Sequence, residues 1–319
     1  MRMNKKVMCA GEALIDLIAE EPGDLVSVER FYKRPGGSIL NTAVGLRRLG
    51  LKVSFVGKLG GDQFAKQLLN LIESEGISTE NIVISGEHKT TLAFAALSEE
   101  KVPDFQFYRD NPADLLIYPE DFKDIDFSDT AVFHFGSISI LYDPARSTFL
   151  KLFELAVENS IITSFDPNMR PNLIKDKSRV LEDFLSISSR VDILKMSDDD
   201  LKYLFPEKNI DEALNLIPRK QNRPTFITLG GKGVLVFLNG KIEEVRGYKV
   251  DVADTTGCGD AFNAGLIYHF CRTDFDFCFQ NAVNAAEFAN KVAALTATKI
   301  GAINAFPNIE EVNEFFKRS

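Results

Sequence analysis

The sequence is poor in the residues that bind soft metals or cross-link secreted domains. It has three histidines and four cysteines among 319 residues. His88, His134 and His269 are scattered, and Cys9, Cys258, Cys271 and Cys278 form neither a CxxC pair nor a zinc-like spacing. A Cys/His metal centre is therefore not expected, and the cysteines read as reduced, intracellular thiols. No long hydrophobic run is present either. The N-terminal MRMNKKVMCAGEALIDLIAE is broken by Glu12 and Asp16 and is followed by no cleavage site. It is read as neither a signal peptide nor a membrane span, and the expected location is cytoplasmic. Basic clusters are missing too, and 37 Lys and Arg stand against 46 Asp and Glu, a formal charge of -9. Nucleic acid is thus not an expected partner. An anionic ligand would have to be held by local groups rather than by the overall field.

Short apolar runs alternate with amphipathic stretches. Residues 52–57, 130–136, 161–166, 191–197 and 224–230 read as buried strands, and 38–50, 62–75, 144–159 and 177–189 as helices. That rhythm predicts an α/β protein whose mostly parallel sheet is covered on both faces. Two regions, 13–35 and 88–110, break the rhythm with alternating segments and no intervening helix. They are expected to form a small accessory β-sheet inserted into one domain that spans 1–319. From about residue 259 the pattern turns helical, ending with a helix over 308–317.

The stretch DTTGCGDAF, residues 254–262, is a glycine-rich loop entering a helix. Gly257 and Gly259 allow a tight turn, and first-turn amides without internal partners bind an anion. Asp260 then stands where a base would take a proton from a nucleophile beside that anion. This is the equipment of phosphoryl transfer. The simpler reading is a capped helix with Asp254 or Asp260 as the cap. Other glycine-rich nucleotide loops are missing. Each Gly-Lys pair (57–58, 231–232, 240–241) lacks a following Ser or Thr, and no GxGxxG occurs. PGGSILNTAVGLRRLG (35–50) sets Gly36 and Gly37 before a helix carrying Asn41, whose amide suits a polyhydroxylated ligand. An ordinary capped helix would explain it equally. FITLGGKG (226–233) is a strand ending in a glycine turn that could lie along a nucleotide, or a plain hairpin.

DTTGCGDAFNAGL resembles the C-terminal signature of the ribokinase-like (phosphofructokinase B) carbohydrate kinases. GGSILNTAVGLRRLG followed by KLG is similar to their N-terminal signature. The resemblance implies a ribokinase-like three-layer α/β/α core, Rossmann-like, with a small β-sheet lid. It implies that Asp260 is the catalytic base and that the amides of Gly257, Cys258 and Gly259 form the anion hole. Asp16, Gly36, Gly37 and Asn41 would hold the sugar. Lys195, Thr228, Gly230, Gly233, Gly259 and Asn290 would line the nucleotide site. Asp200 would reach Mg²⁺ through water, and Asp254 with Gly301 would hold a monovalent cation such as K⁺.

Within that family FYRDNPADLLI (107–117), FHFGSISI (133–140) and FDPNMR (165–170) look like fructokinase segments. They put Phe107, Arg109, Asn168 and Arg170 in reach of the sugar, the arginines as rigid forks of donors. Phe105 is a second aromatic able to cover the ring. The implied reaction is transfer of the ATP γ-phosphate to the 6-hydroxyl of D-fructose. A 2-keto-3-deoxygluconate kinase, a ribokinase and a non-catalytic sugar-binding regulator remain as alternatives. Three departures stand out: Cys258 in place of a small alanine, Ile39 in place of a small residue, and Ser197-Asp198-Asp199-Asp200 in place of Asn-x-x-Glu. Cys258 is read first as a small filler whose backbone amide does the work; the sharper alternative gives a thiol at a helix N-terminus a lowered pKa and opens it to alkylation. The accessory strands, with free edges, predict a homodimer through the lid.

Overall fold

The computed structural model describes residues 5–21, 23–97 and 103–318. Nine strands form one sheet and four form another. The large sheet contains β1 (Lys6–Ala10), β4 (Val53–Leu59), β5 (Ser78–Ile84), β8 (Thr130–Gly136), β9 (Ile162–Asp166), β10 (Ile193–Ser197), β11 (Thr225–Thr228), β12 (Gly233–Leu238) and β13 (Lys241–Arg246). Their order is β13-β12-β11-β10-β9-β8-β1-β4-β5. All neighbours run parallel except β11–β12 and β12–β13. The small sheet contains β2 (Leu14–Ala19), β3 (Phe31–Gly36), β6 (Leu92–Leu97) and β7 (Pro103–Tyr108), in the order β3-β2-β6-β7.

The five strands expected from apolar runs are present as β4, β8, β9, β10 and β11. Four others carry weaker signals. β1 lies in the N-terminal run examined as a leader. β5 is only half-buried, and β13 has one buried residue in six. β12 follows β11 across a glycine turn that also fitted a nucleotide loop.

Period-two alternation along each central strand feeds two separate cores. Val7 and Cys9 of β1 join one apolar cluster, and Met8 and Ala10 join the other. The first cluster packs under α1 (Ser38–Arg48), α2 (Gln63–Ser74), α7 (Cys258–Arg272), α8 (Phe279–Ala297) and α9 (Ile309–Arg318). The second packs under α3 (Ala145–Glu158), α4 (Lys177–Ser188), α5 (Asp198–Leu204) and α6 (Ile210–Leu216). Eight phenylalanines stand among its buried residues. Phe135 meets Phe153 at 5.0 Å and Phe165 at 5.1 Å between ring centroids. Such offset pairs add to the area they bury.

The helices expected at 38–50, 62–75, 144–159, 177–189 and 308–317 are α1, α2, α3, α4 and α9, each within two residues of the expected bounds. Asp62 and Asp176 cap α2 and α4 by accepting from Ala65 N and Arg179 N.

Helices α7 and α8 lie close because Gly265 faces Ala289. A Cβ at Gly265 would sit 2.7 Å from Ala289 Cα and 3.3 Å from Val292 Cγ2. This packing fixes the helix that carries Asp260. Gly265→Val is therefore expected to destabilise the fold by about 1–3 kcal/mol through overpacking. Urea denaturation reads it, and a wild-type midpoint would contradict the contact.

Candidate active site

The parallel strands deliver their carboxyl ends to one edge of the sheet, where open α/β sheets bind ligands. The order reverses between β1, which goes on to β4, and β8 on its other side. Glu12 follows β1, and Ser137 and Ser139 follow β8. Asp166 ends β9, Lys195 and Ser197 end β10, and Thr228 ends β11.

Helix α1 starts at this edge because Gly37 takes φ 104°, and a Cβ there would lie 2.7 Å from the Glu12 carbonyl. Gly36 leaves room for Asp16, whose Oδ2 would be 1.9 Å from an added Cβ. Helix α7 starts beside it after Gly257, at φ 80°, where a Cβ would be 2.6 Å from Ala302 Cβ. Two helix N-termini, distant in sequence, thus converge, with Ser38 N of α1 donating to Glu12 Oε1 at 3.0 Å and Cys258 N of α7 to Thr255 O at 3.2 Å.

Asp260 sits between them, 7% exposed. Its Oδ1 accepts from Ser38 Oγ at 2.6 Å and its Oδ2 from Asn41 Nδ2 at 2.8 Å. Burial raises its carboxyl to about 6, against the pull of Ser38 and Asn41. The remaining oxygen of Asn41, Oδ1, is buried with no hydrogen-bond partner among the described residues. Asp16 reaches the same space from β2. Burial raises it to about 7, opposed by the Arg170 guanidinium and helped by Asp260 and Glu12. Phe107 stands on the same face of the small sheet as Asp16, since Ala93 pairs with both. Phe105 pairs with Ala95, but its side chain lies outside the described residues.

Lys195 is buried and donates to Asp166 Oδ2 at 2.8 Å. Burial would lower its pKa, but Asp166, Asp200 and Asp260 outweigh it and hold the ammonium above the usual lysine value. Its Nζ is 3.2 Å from where a Cβ of Gly259 would be, so a fixed positive charge adjoins the start of α7. Thr228, with Gly230 and Gly233 after it, forms the turn between β11 and β12, closed by Leu229 N donating to Gly233 O at 2.8 Å. Asp254 Oδ2 accepts from Gly301 N at 2.8 Å, which joins the two segments expected at a monovalent cation.

Several expected residues have their polar groups committed within the chain. Arg109 does not present a free fork: its Nε and Nη2 close on Asp114 at 3.1 and 2.8 Å, a pair almost wholly buried. Burial raises the Glu12 carboxyl, and the Arg109 charge nearby opposes part of that rise. Arg170 Nη1 donates to Asn168 Oδ1 at 2.6 Å, and Asn168 N donates to Asp166 Oδ1, so these residues brace one loop. The amide nitrogen of Asn290 serves the Val245 and Arg246 carbonyls, tying α8 to β13. The alternative of an acidified Cys258 is overturned. Burial, with Asp254 and Asp260 beside it, raises that thiol to about 12. Loss of water around the thiol, with the two carboxylates adding to it, leaves no acidified cysteine at this helix start.

Asp200 accepts from Met169 N on Oδ1 and from Ser197 N and Oγ on Oδ2. It is first a helix cap, with little capacity left for a metal. Among the described residues no group of three or more His, Cys, Asp or Glu side chains could hold a metal ion. That donor set fits magnesium carried by phosphates and water, with Asp200 at most beyond its water shell.

Three participants escaped the sequence. Glu12, 1% exposed, accepts from Ser38 N at 3.0 Å and from Ser139 Oγ. Asp166 holds Lys195 and Asn263, and Ser38 holds Asp260. The one available signal was position: Glu12 and Asp166 each close a buried apolar run.

A deep carboxylate between two helix starts, with a lysine beside them, fits a phosphotransferase acting on a hydroxyl. The comparisons agree. The profile described as pfkB family carbohydrate kinase matches residues 4–309. Probable fructokinase-4 of Arabidopsis thaliana is 34% identical over 317 residues, covering 98% of this chain and 96% of its own. The fructokinase of Xylella fastidiosa with bound ATP superposes with a TM-score of 0.87 at 32% identity, covering 99% of each chain. A double mutant of Vibrio cholerae fructokinase, bound to fructose, ADP and potassium, gives 0.86 at 27% identity and 98% of each. The chain belongs to the pfkB family of carbohydrate kinases.

Burial of the Asp260 charge has a thermodynamic consequence. Its folded pKa of about 6 exceeds the ordinary 3.8, so the folded state binds more protons across that window. The resulting stabilisation is fully present below the unfolded value and is lost as the pH rises through about 6. Asp260→Asn is expected to melt a few degrees higher at pH 7.5 and to lose part of this pH dependence. Melting curves identical to wild type from pH 5 to 8 would contradict it.

Proposed function

We propose that the protein is an ATP-dependent fructokinase that phosphorylates the 6-hydroxyl of D-fructose, with Asp260 as general base. The observation that carries this reading is the Asp260 carboxylate at the start of α7, held between Ser38 and Asn41. The fructokinase relatives and the fructose, ADP and potassium bound to the Vibrio cholerae protein support the choice of substrates.

The sugar lies between Asp16, Asn41 and the turn of Gly36 and Gly37, with the buried Asn41 Oδ1 as an acceptor for a hydroxyl. Phe107 covers it from the small sheet. ATP lies over the turn of Thr228, Gly230 and Gly233, its γ-phosphoryl group aimed at the amides of Gly257, Cys258 and Gly259. Asp260 takes the hydroxyl proton as the sugar oxygen attacks the γ-phosphorus in line. The bond to the β-phosphate oxygen breaks and ADP leaves. The α7 amides and Lys195 stabilise the charge on the transferring group. Mg²⁺, when bound with ATP, neutralises the phosphate oxygens, and Asp200 would meet it only through water. Asp254 and the Gly301 loop would hold K⁺ beside the anion hole. The arginines act at one remove: Arg170 faces Asp16, and Arg109 braces the loop that follows β7.

The chain acts as one domain over 1–319, with the four-stranded sheet as a lid over the sugar that excludes competing water. That sheet pairs two subunits in a homodimer, a reading supported by exposed Tyr32 and Tyr108 on its two edge strands. A clean monomer in sedimentation at micromolar protein would remove this part. The cytoplasm is the proposed compartment, supported by four free cysteines. Among the described residues no helix is long and apolar enough to cross a membrane.

Asp260→Asn is expected to bind ATP and fructose as the wild type does and to lose ~10²–10⁴-fold in kcat, the usual weight of a general base. Calorimetric titration and ADP release measure the two quantities. Turnover near wild type would remove Asp260 from the reaction.

A further inference from the structure

Ser38 is the first residue of α1 and 7% exposed, and its two polar groups face opposite ways. Its backbone N–H donates to Glu12 Oε1 at 3.0 Å, and its hydroxyl donates to Asp260 Oδ1 at 2.6 Å. Glu12 is itself fixed, since Ser139 Oγ donates to its other oxygen. The chain Ser139–Glu12–Ser38–Asp260 runs from the turn after β8 to the start of α7, across the point where the strand order reverses. With Asn41 on Oδ2, both oxygens of the proposed base are engaged by donors from the chain itself.

A sugar hydroxyl that gives its proton to Asp260 must donate to one of those oxygens, so one present donor has to yield or share. The two donors differ in what they can do. Asn41 carries a second polar atom, the unpartnered Oδ1, that can take a sugar hydroxyl while Nδ2 stays on Asp260. The Ser38 hydroxyl turns about one bond, and its oxygen accepts as readily as it donates. It can release Oδ1 and accept a bond from the sugar without any movement of the backbone that Glu12 holds.

We propose that Ser38 is a positioning residue for Asp260, holding its Oδ1 while the sugar site is empty and surrendering that oxygen to the reacting hydroxyl. The inference rests on Asp260 being the base. Glu12 fixes the backbone from which the hydroxyl swings, so the donor leaves and returns to one place. Oδ1 is the oxygen that receives the proton, and Oδ2 stays with Asn41 through the reaction.

The proton affinity of Asp260 also answers to the charges around it. Asp166 on β9, Lys195 on β10 and Asp16 on β2 face it, and Cys258 precedes it on α7. None of these is touched by a change at Ser38. The pH profile of kcat/KM reports the free enzyme, where Ser38 is on Oδ1, and that of kcat reports the complex, where it has left.

The test is Ser38→Ala in the full-length protein, with fructose and Mg-ATP, from pH 5 to 8.5. Loss of a donor to the carboxylate is expected to move the acid limb of kcat/KM up by about one pH unit. The acid limb of kcat should stay in place. Ser38→Thr, which keeps the hydroxyl, should restore the wild-type limb and guards against a folding defect in the alanine variant. Equal movement of both limbs would mean that Ser38 stays on Asp260 in the complex, and no movement would mean that it does not hold the base. Either result overturns the proposal. Loss of turnover in Asp260→Asn together with unmoved limbs in Ser38→Ala would leave the base in place and remove only the role of Ser38.

Discussion

The structure depends on burying one carboxylate where water is scarce and charge is wanted. An uncompensated buried charge is costly, and the compensation for Asp260 comes from residues 222 and 219 positions away in the chain. Those donors can reach it only because two helices begin at the same point. That convergence in turn requires Gly37 and Gly257, at positions where a side chain would strike Glu12 or Ala302. The close contact of α7 with α8 and the central parallel strands hold the helix starts in register. Most of the architecture can thus be traced from the needs of a single ionised group.

Around it the protein has arranged charge in layers. Lys195 and Asp166 form a buried pair beside the start of α7, and breaking such a pair from one side leaves an isolated charge in the interior. Asp200, although acidic and near the site, is spent on backbone donors and closes the first turn of α5. Buried Glu12 and half-buried Asp16 add two more carboxyls whose protons are held more tightly than in water. The site is thereby pre-set to take up protons rather than release them, as suits a base that must accept one from a weakly acidic alcohol.

The sequence made the middle of the sheet legible and its edges obscure. β8, β9 and β10 are buried at nearly every position, so they appear as short segments of apolar and small residues with few charges. β13, written KIEEVR, is exposed along most of its length and carries no such signal. The glycine turns and Asp260 could be read because helix starts and backbone turns have local rules. Glu12, Asp166 and Ser38 could not, because nothing local separates a buried acid with donors from a surface one. Arg109 and Asn290 show the same limit from the other side: their donors are committed to Asp114 and to the end of β13, contacts that only the folded chain supplies. The acidified alternative for Cys258 failed for a related reason, since the helix terminus was local information while burial and the neighbouring carboxylates were not.

The central claim is that this site passes a phosphoryl group to fructose. The most direct measurement is ADP release by the purified protein with Mg-ATP and K⁺, given D-fructose, D-ribose and 2-keto-3-deoxygluconate in parallel, with the product examined by phosphorus and carbon NMR. Dominant turnover on fructose and a phosphate on carbon 6 are expected. Turnover on the keto acid or ribose alone, a phosphate elsewhere on fructose, or no ADP release with any of the three would contradict it.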